Sequence, residues 1–149
     1  MRAPEARAAL DALRALQSAV AAGVSYRDYA PRVIEARATV QTFVQNPATG
    51  ESELKAAMNA AISLYALGAE AWNARLRNTG YEVLATNPAA DLCPTLGKKV
   101  LEAREQGILK PTPLGTGIGV AAGLPQIWAC AAERVDESVR LMASAPGSR

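Results

Sequence analysis

Residues 51–78 read ESELKAAMNAAISLYALGAEAWNARLRN, and this stretch decides the fold. One set of its residues recurs at alternating spacings of four and three, which is the spacing of a single helix face. The set is Leu54, Met58, Ala61, Tyr65, Gly68 and Trp72. Other apolar residues lie off that face, and no charged residue occurs between Lys55 and Glu70. Because a helix that is apolar on several sides must be covered on several sides, the stretch predicts a long helix inside a helical bundle.

Composition supports the same fold class. The chain has 149 residues, of which 50% are hydrophobic but only 5% aromatic, because alanine supplies much of the apolar content. Alanine favours helix and allows close helix packing. We therefore expect an all-α fold in a single domain, residues 1–149. The net charge of +2, with acids and bases interleaved, provides no basic stripe for nucleic acid.

Two further helices are predicted before the central one. The first runs from about residue 4 to 22 and ends at Gly23 in a left-handed cap. The second begins after Ser25, which forms a loose capping box with Asp28, and runs to about Asn46. Their inner sides are expected to be Leu10, Leu13, Gln17, Val20 and Val24 in the first, and Tyr26, Tyr29, Val33, Ala36, Val40 and Phe43 in the second. Short connections favour antiparallel neighbours.

The remainder of the chain is predicted to be richer in loops. A shorter helix is expected from Pro94 or Thr95 to Gln106, followed by a glycine- and proline-rich connection over residues 110–123. Leu124 and Pro125 then open a final helix to about Ala143. Its inner side is expected to be Leu124, Trp128, Ala131, Val135 and Met142. The sequence thus predicts a bundle of four to five helices with a loop-rich segment before the last one.

Histidine is absent from this chain. Within the chain, this excludes Ser-His-Asp and Cys-His catalysis and imidazole ligands for zinc or haem. The carboxylates form no isolated pair, and only Glu70 lies on the long helix far from its ends. It is therefore the one acid that we would watch as a buried group, with an exposed side chain as the alternative. No cofactor, metal or catalytic residue is predicted, and the sequence favours a function other than an enzyme.

The last third of the chain contains two patterns that invite other interpretations. Gly115, Gly117, Gly119 and Gly123 resemble a phosphate-binding loop in outline, but no strand is evident before Gly115. Residues 111–132 carry no charge, yet their prolines and glycines make a poor membrane span. An irregular connection, buried or covered by a partner, is favoured over nucleotide or membrane binding.

Cys93 and Cys130 match no zinc or redox motif. Two interpretations stay open: a pair of small buried thiols, or a disulfide in an exported protein. The sequence does not decide between them.

Most of the aromatic residues fall on the predicted inner stripes. Core packing is the default role of such residues. The functional alternative is a slot between helices for an apolar or flat ligand. The candidate ligand-binding residues are Tyr65, Gly68, Trp72 and Trp128.

Several short motifs are shared with a known group of proteins. They are residues 23–29 followed by Ala36, residues 57–58, 65–66 and 71–72, and residues 127–128 with Ala131. In these motifs the chain resembles small exported bacterial helical proteins of uncharacterised function. The resemblance implies an exported helical domain, periplasmic or extracellular, and provides no catalytic residues. The chain differs in lacking a visible leader, because charged residues such as Glu5 and Arg7 interrupt any apolar segment near Met1.

Together these observations predict a non-catalytic structural or protein-interaction module, an accessory subunit of a larger exported or envelope assembly. We expect a protein partner or self-association and no nucleic acid, and membrane contact is a weaker alternative. A carrier of a small apolar ligand, bound between the helices, is the alternative function. A carboxylate-dependent enzyme is a third, weaker hypothesis.

Overall fold

The computed structural model describes residues 4–76, 82–84, 88–95, 110–112 and 115–144. These residues form four α-helices, α1 (Pro4–Ala21), α2 (Tyr26–Val44), α3 (Ser52–Leu76) and α4 (Val120–Ala143). Between α3 and α4 lie three short strands, β1 (Glu82–Leu84), β2 (Lys110–Thr112) and β3 (Gly115–Gly119). Two 3-10 turns occur at Pro47–Thr49 and Pro88–Leu92. The prediction of an all-α helical bundle is confirmed.

The chain forms two compact units. Residues 1–62 and 131–149 make up the first unit, and residues 63–130 make up the second. The helices α3 and α4 each contribute residues to both units. That the whole chain is a single domain stays a prediction.

The first unit is built from α1, α2, the beginning of α3 and the end of α4. The helices α1 and α2 pack together along their lengths. The amide of Gln41 on α2 donates to Asn59 Oδ1 on α3 at 3.1 Å. Gln17 on α1 donates to Asp136 Oδ1 on α4 at 3.4 Å. Four helical segments therefore surround one core, as the sequence predicts.

Helix α3 is buried on more than one side, which confirms the prediction from residues 51–78. The predicted stripe from Leu54 to Gly68 is buried, and Trp72 at its end is half-buried. Residues off that stripe are buried as well, namely Ile62, Leu64, Leu67 and Ala71. Glu70 is exposed, so the structure selects the second of the two interpretations of this acid.

The inner stripe of α2 is confirmed from Tyr29 to Phe43, while Tyr26 is half-buried. On α1 the inner stripe is partly wrong. Gln17, Val20 and the following Val24 are half-buried, because the buried face passes through Leu16 instead of Gln17. The buried residues of α1 are Ala6, Ala9, Leu10, Leu13 and Leu16.

The turn between α1 and α2 follows the sequence prediction in detail. Gly23 has a φ of 86°, a left-handed conformation that glycine adopts without a steric penalty. Its N–H donates to the carbonyl of Val20, and the N–H of Val24 donates to the carbonyl of Ala19, both at 3.1 Å. This pair of bonds is a Schellman motif. Ser25 then caps α2, its hydroxyl oxygen accepting from the N–H of Asp28 at 3.3 Å.

The three strands form a small antiparallel sheet in the order β1-β3-β2. Gly117 on the central strand lies opposite Leu84 on β1 and Lys110 on β2. The expectation of no strand before Gly115 is therefore wrong, because β2 lies directly before it in the chain. Glycine has low strand propensity, and Pro111 on the edge strand β2 lacks a backbone donor, so the sequence carries little strand signal here.

Helix α4 ends at Ala143 as predicted but begins at Val120, directly after β3. The predicted start at Leu124 and Pro125 is wrong, because Pro125 lies inside the helix rather than in its first turn. At that position the proline has no N–H to donate to the carbonyl four residues earlier, so the helix lacks one backbone hydrogen bond there. The predicted helix from Pro94 or Thr95 to Gln106 lies outside the described residues beyond Thr95.

Candidate functional site

Cys93 and Cys130 form a disulfide in the second unit. Cys93 follows the 3-10 turn Pro88–Leu92, and Cys130 lies on α4, with 5.5 Å between the two Cα atoms. Both residues are buried, with exposed fractions of 0% and 6%. Of the two interpretations that the sequence leaves open, the structure selects the disulfide.

Thr95 lies against this disulfide. Its hydroxyl oxygen is 3.3 Å from Cys130 Sγ and 3.4 Å from Cys93 Sγ. A disulfide sulfur carries no proton, so the threonine hydroxyl is the donor in this contact. Cys93 Sγ also lies 3.5 Å from the carbonyl oxygen of Gln126. That approach is a van der Waals contact, because neither atom carries a proton.

Trp72 on α3 and Trp128 on α4 are in direct contact. Their ring centroids are 5.8 Å apart and the ring planes are inclined by 64°, an edge-to-face arrangement. Both residues are half-buried. The structure thus brings together two of the four candidate ligand-binding residues.

The other two candidates lie on α3 before Trp72. Gly68 is one helical turn and Tyr65 two turns before it, on the same stripe, and both are buried. Tyr65 is among the largest fully buried side chains. Burial of this kind fits the core-packing interpretation, and a role in ligand binding stays a prediction.

Two grooves are described in the first unit, away from these candidates. One, of about 190 Å³, lies between α1 and α2, where apolar residues and the polar side chains of Arg32, Glu35 and Thr39 line it. The other, of about 280 Å³, lies over charged residues of α4. In the latter, Arg134 and Glu137 pair at 3.2 Å. Neither groove contains a cluster of polar side chains from several elements.

The described residues contain no group of three or more Cys, Asp or Glu side chains that could hold a metal ion. Within the same part of the chain, no helix is long and apolar enough to cross a membrane. Among the described residues, Ser138 is fully buried and its hydroxyl donates to the carbonyl of Arg134 at 2.9 Å.

Sequence analysis did not identify Ile34 on α2. This residue is 71% exposed, the exposed large hydrophobic side chain among the described residues. The exposure of Ile34 could have been predicted from the sequence, because this residue lies off the inner stripe of α2. Packing in the core does not account for an aliphatic residue on the polar side of an amphipathic helix.

No protein-family model, curated protein or solved structure matches this chain. The function proposed below accordingly rests on the residues of the chain itself, and the resemblance to small exported helical proteins stays a prediction.

Proposed function

We propose that this chain is a non-catalytic structural or protein-interaction module that binds its partner through the outer side of α2. The observation that carries the proposal is the exposure of Ile34, at 71%. Moving such a side chain from water into an interface contributes about 1.5 to 3 kcal/mol. Isolated exposed apolar residues are common on protein surfaces, so the surroundings of Ile34 must support the same interpretation.

Those surroundings are small or basic. On a helix, the residues that flank a side chain are those three, four and seven positions away. Around Ile34 we call these residues, with Ile34 itself, the Ile34 face: Arg27, Ala30, Pro31, Ile34, Arg37 and Ala38, with Gln41 at its border. The small side chains of the alanines and the proline leave Ile34 accessible to a partner surface. The arginines beside it belong to a residue type that is enriched in interfaces.

The proposal places the module in an exported compartment, periplasmic or extracellular, as an accessory subunit of a larger assembly. The Cys93–Cys130 disulfide supports this, because disulfides persist in oxidising compartments and are rare in the cytosol. Rapid acid quenching of source cells, alkylation of free thiols and an intact mass test it. We expect no alkylation of Cys93 or Cys130. Alkylation of both would contradict the assignment to an oxidising compartment.

Native mass spectrometry of the chain isolated from its source tests the interaction. We expect a second polypeptide to accompany the wild-type chain and to be lost on Ile34→Asp. Ala8→Asp is the matched control, because it places the same charge at an exposed position on α1. A partner retained by Ile34→Asp, or lost equally in both variants, would count against the proposed surface.

A carrier of a small apolar ligand is the second candidate function. The contact between Trp72 and Trp128 supports it, because the two half-buried aromatic residues together offer a surface for a flat apolar molecule. Mass spectrometry of a solvent extract of the natively purified protein tests it. The carrier hypothesis predicts a small molecule at about one per chain that Trp128→Ala fails to retain. If both Trp72→Ala and Trp128→Ala lower stability without changing ligand retention, that hypothesis is rejected.

A further inference from the structure

We infer that the partner of the Ile34 face is an acidic protein surface, one that offers carboxylates to Arg27 and Arg37 around an apolar pocket for Ile34. This inference rests on the proposed function and specifies the chemistry of the partner. It depends on how charge is distributed around α2.

The acids of α2, together with Arg32, lie on a different side of the helix from Ile34. Arg27 lies two helical turns before Ile34, and Arg37 lies three residues after it, so both flank Ile34 on the helix surface. The acids Asp28 and Glu35 lie six residues before and one residue after Ile34, positions that project from another side of the helix. The Ile34 face therefore carries two positive charges and no negative charge.

Both arginines are exposed, and neither makes an ion pair or hydrogen bond with another residue in the part of the chain that the structure describes. By contrast, Asp28 accepts a hydrogen bond from the Ser25 hydroxyl at 3.3 Å. An unpaired guanidinium retains all its donors for a partner, and its planar fork matches a carboxylate in two parallel hydrogen bonds. Arginine is also enriched among the residues that dominate interface energies.

The spacing limits what can occupy this face. Arg27 and Arg37 are ten residues apart, about 15 Å along a helix, with Ile34 nearer to Arg37. Anionic membranes are recognised by clusters of about four to eight basic residues, and this face has two. Nucleic acid binding likewise requires many phosphate contacts. One protruding aliphatic residue between two separated cations instead fits a shaped protein surface with carboxylates about 15 Å apart.

A displayed library of helical peptides, with random residues on one face, provides the probe. Selection on the full wild-type chain is expected to enrich peptides that carry Asp or Glu on both sides of an apolar residue. Their affinity should fall by about tenfold or more on Ile34→Ser, and similarly on the double charge reversal Arg27→Glu with Arg37→Glu. Raising the salt concentration should also weaken binding to the wild type.

The matched control is the double charge reversal Arg7→Glu with Arg14→Glu, which makes the same change at exposed positions of α1. It should leave the affinity within about twofold of wild type. Replacing the acids of a selected peptide by lysine should restore its binding to the Arg27→Glu, Arg37→Glu variant. Circular dichroism and thermal unfolding verify that every variant is folded, so a lost affinity is not a lost fold.

Other occupants give different results. Enriched peptides without acids, or with affinity unchanged by the double charge reversal at Arg27 and Arg37, would overturn the acidic partner. If the binding of such peptides still depends on Ile34, the proposed function stands and only the acidic character of the partner is overturned. Self-association in sedimentation velocity that is abolished by Ile34→Ser would make the occupant a second copy. Arginine-dependent binding to vesicles of equal phosphatidylglycerol and phosphatidylcholine would identify a membrane as the occupant. Self-association or vesicle binding of this kind would overturn the inference.

Discussion

The indole rings of Trp72 and Trp128 meet edge to face, with their centroids 5.8 Å apart. They are the two tryptophans of the chain, and both belong to the unit formed by residues 63–130. The tryptophan signal of the whole protein therefore reports on this one contact. An edge-to-face pair stabilises a protein by more than the burial of its apolar area alone. The interaction energy of the two rings can therefore be measured separately.

We predict a coupling free energy of about 0.5 to 1.5 kcal/mol between the two tryptophans. The measurement is a double-mutant cycle from chemical unfolding of the wild type, Trp72→Ala, Trp128→Ala and the double variant. Trp72→Phe keeps an aromatic ring and should retain part of the coupling. Strictly additive effects of the two alanine substitutions would show that the rings do not stabilise each other.

The disulfide between Cys93 and Cys130 is expected to stabilise the fold substantially. It closes a loop across a sequence separation of 37 residues, for which the chain-entropy relation gives about 3 to 4 kcal/mol. Unfolding in urea with and without a phosphine reductant measures this contribution to the free energy of unfolding. The variant with both Cys93→Ser and Cys130→Ser should be insensitive to the reductant. An unchanged wild-type midpoint after full reduction would contradict the prediction.

Gly23 has a φ of 86°, and a Cβ placed there would meet no atom within 4 Å. Substitution is therefore opposed by backbone conformation alone. Gly23→Ala should lower the free energy of unfolding by about 1 to 2 kcal/mol, and Gly23→Asn by less, because asparagine tolerates the left-handed region better. Thermal and urea unfolding of the two variants give the comparison. Equal losses in both would point to a steric cause that the structure does not show.

The parts of the fold that could be predicted are those with a local, repeating signal. The stripe of α2 from Tyr29 to Phe43 and the two-sided burial of α3 follow from helical periodicity. The turn at Gly23 and the cap at Ser25 follow from residue-specific backbone chemistry. Each of these features needs information from only a few neighbouring residues.

The parts that could not be predicted depend on distant residues. The pairing of β3 with β1 joins segments far apart in sequence, and the glycines of β3 give no alternating apolar pattern that would indicate a strand. Pairing of Cys93 with Cys130 likewise depends on the fold bringing their Cα atoms to 5.5 Å. At the candidate site, the apolar stripes of two helices identified Trp72 and Trp128 as candidates. The contact between the two rings could not be predicted, because it depends on how the helices pack.

Lys55 connects the end of α2 to the beginning of α3. Its Nζ donates to the carbonyl oxygen of Asn46 at 2.6 Å, in the turn that follows α2, and lies 5.4 Å from the centre of the Phe43 ring. A charge-assisted hydrogen bond and a cation over an aromatic ring both stabilise the turn. Lys55→Met keeps the apolar stem and removes the charge, so the loss should come from these two contacts.

We expect Lys55→Met to lower the free energy of unfolding by about 1 to 2 kcal/mol. Arg134→Met is the matched control, because Arg134 pairs with Glu137 at a partly exposed site on α4 where the expected loss is below about 1 kcal/mol. Urea unfolding of both variants measures the difference. If the two losses are equal, Lys55 behaves as an ordinary surface charge and contributes nothing specific to the turn of residues 45–51.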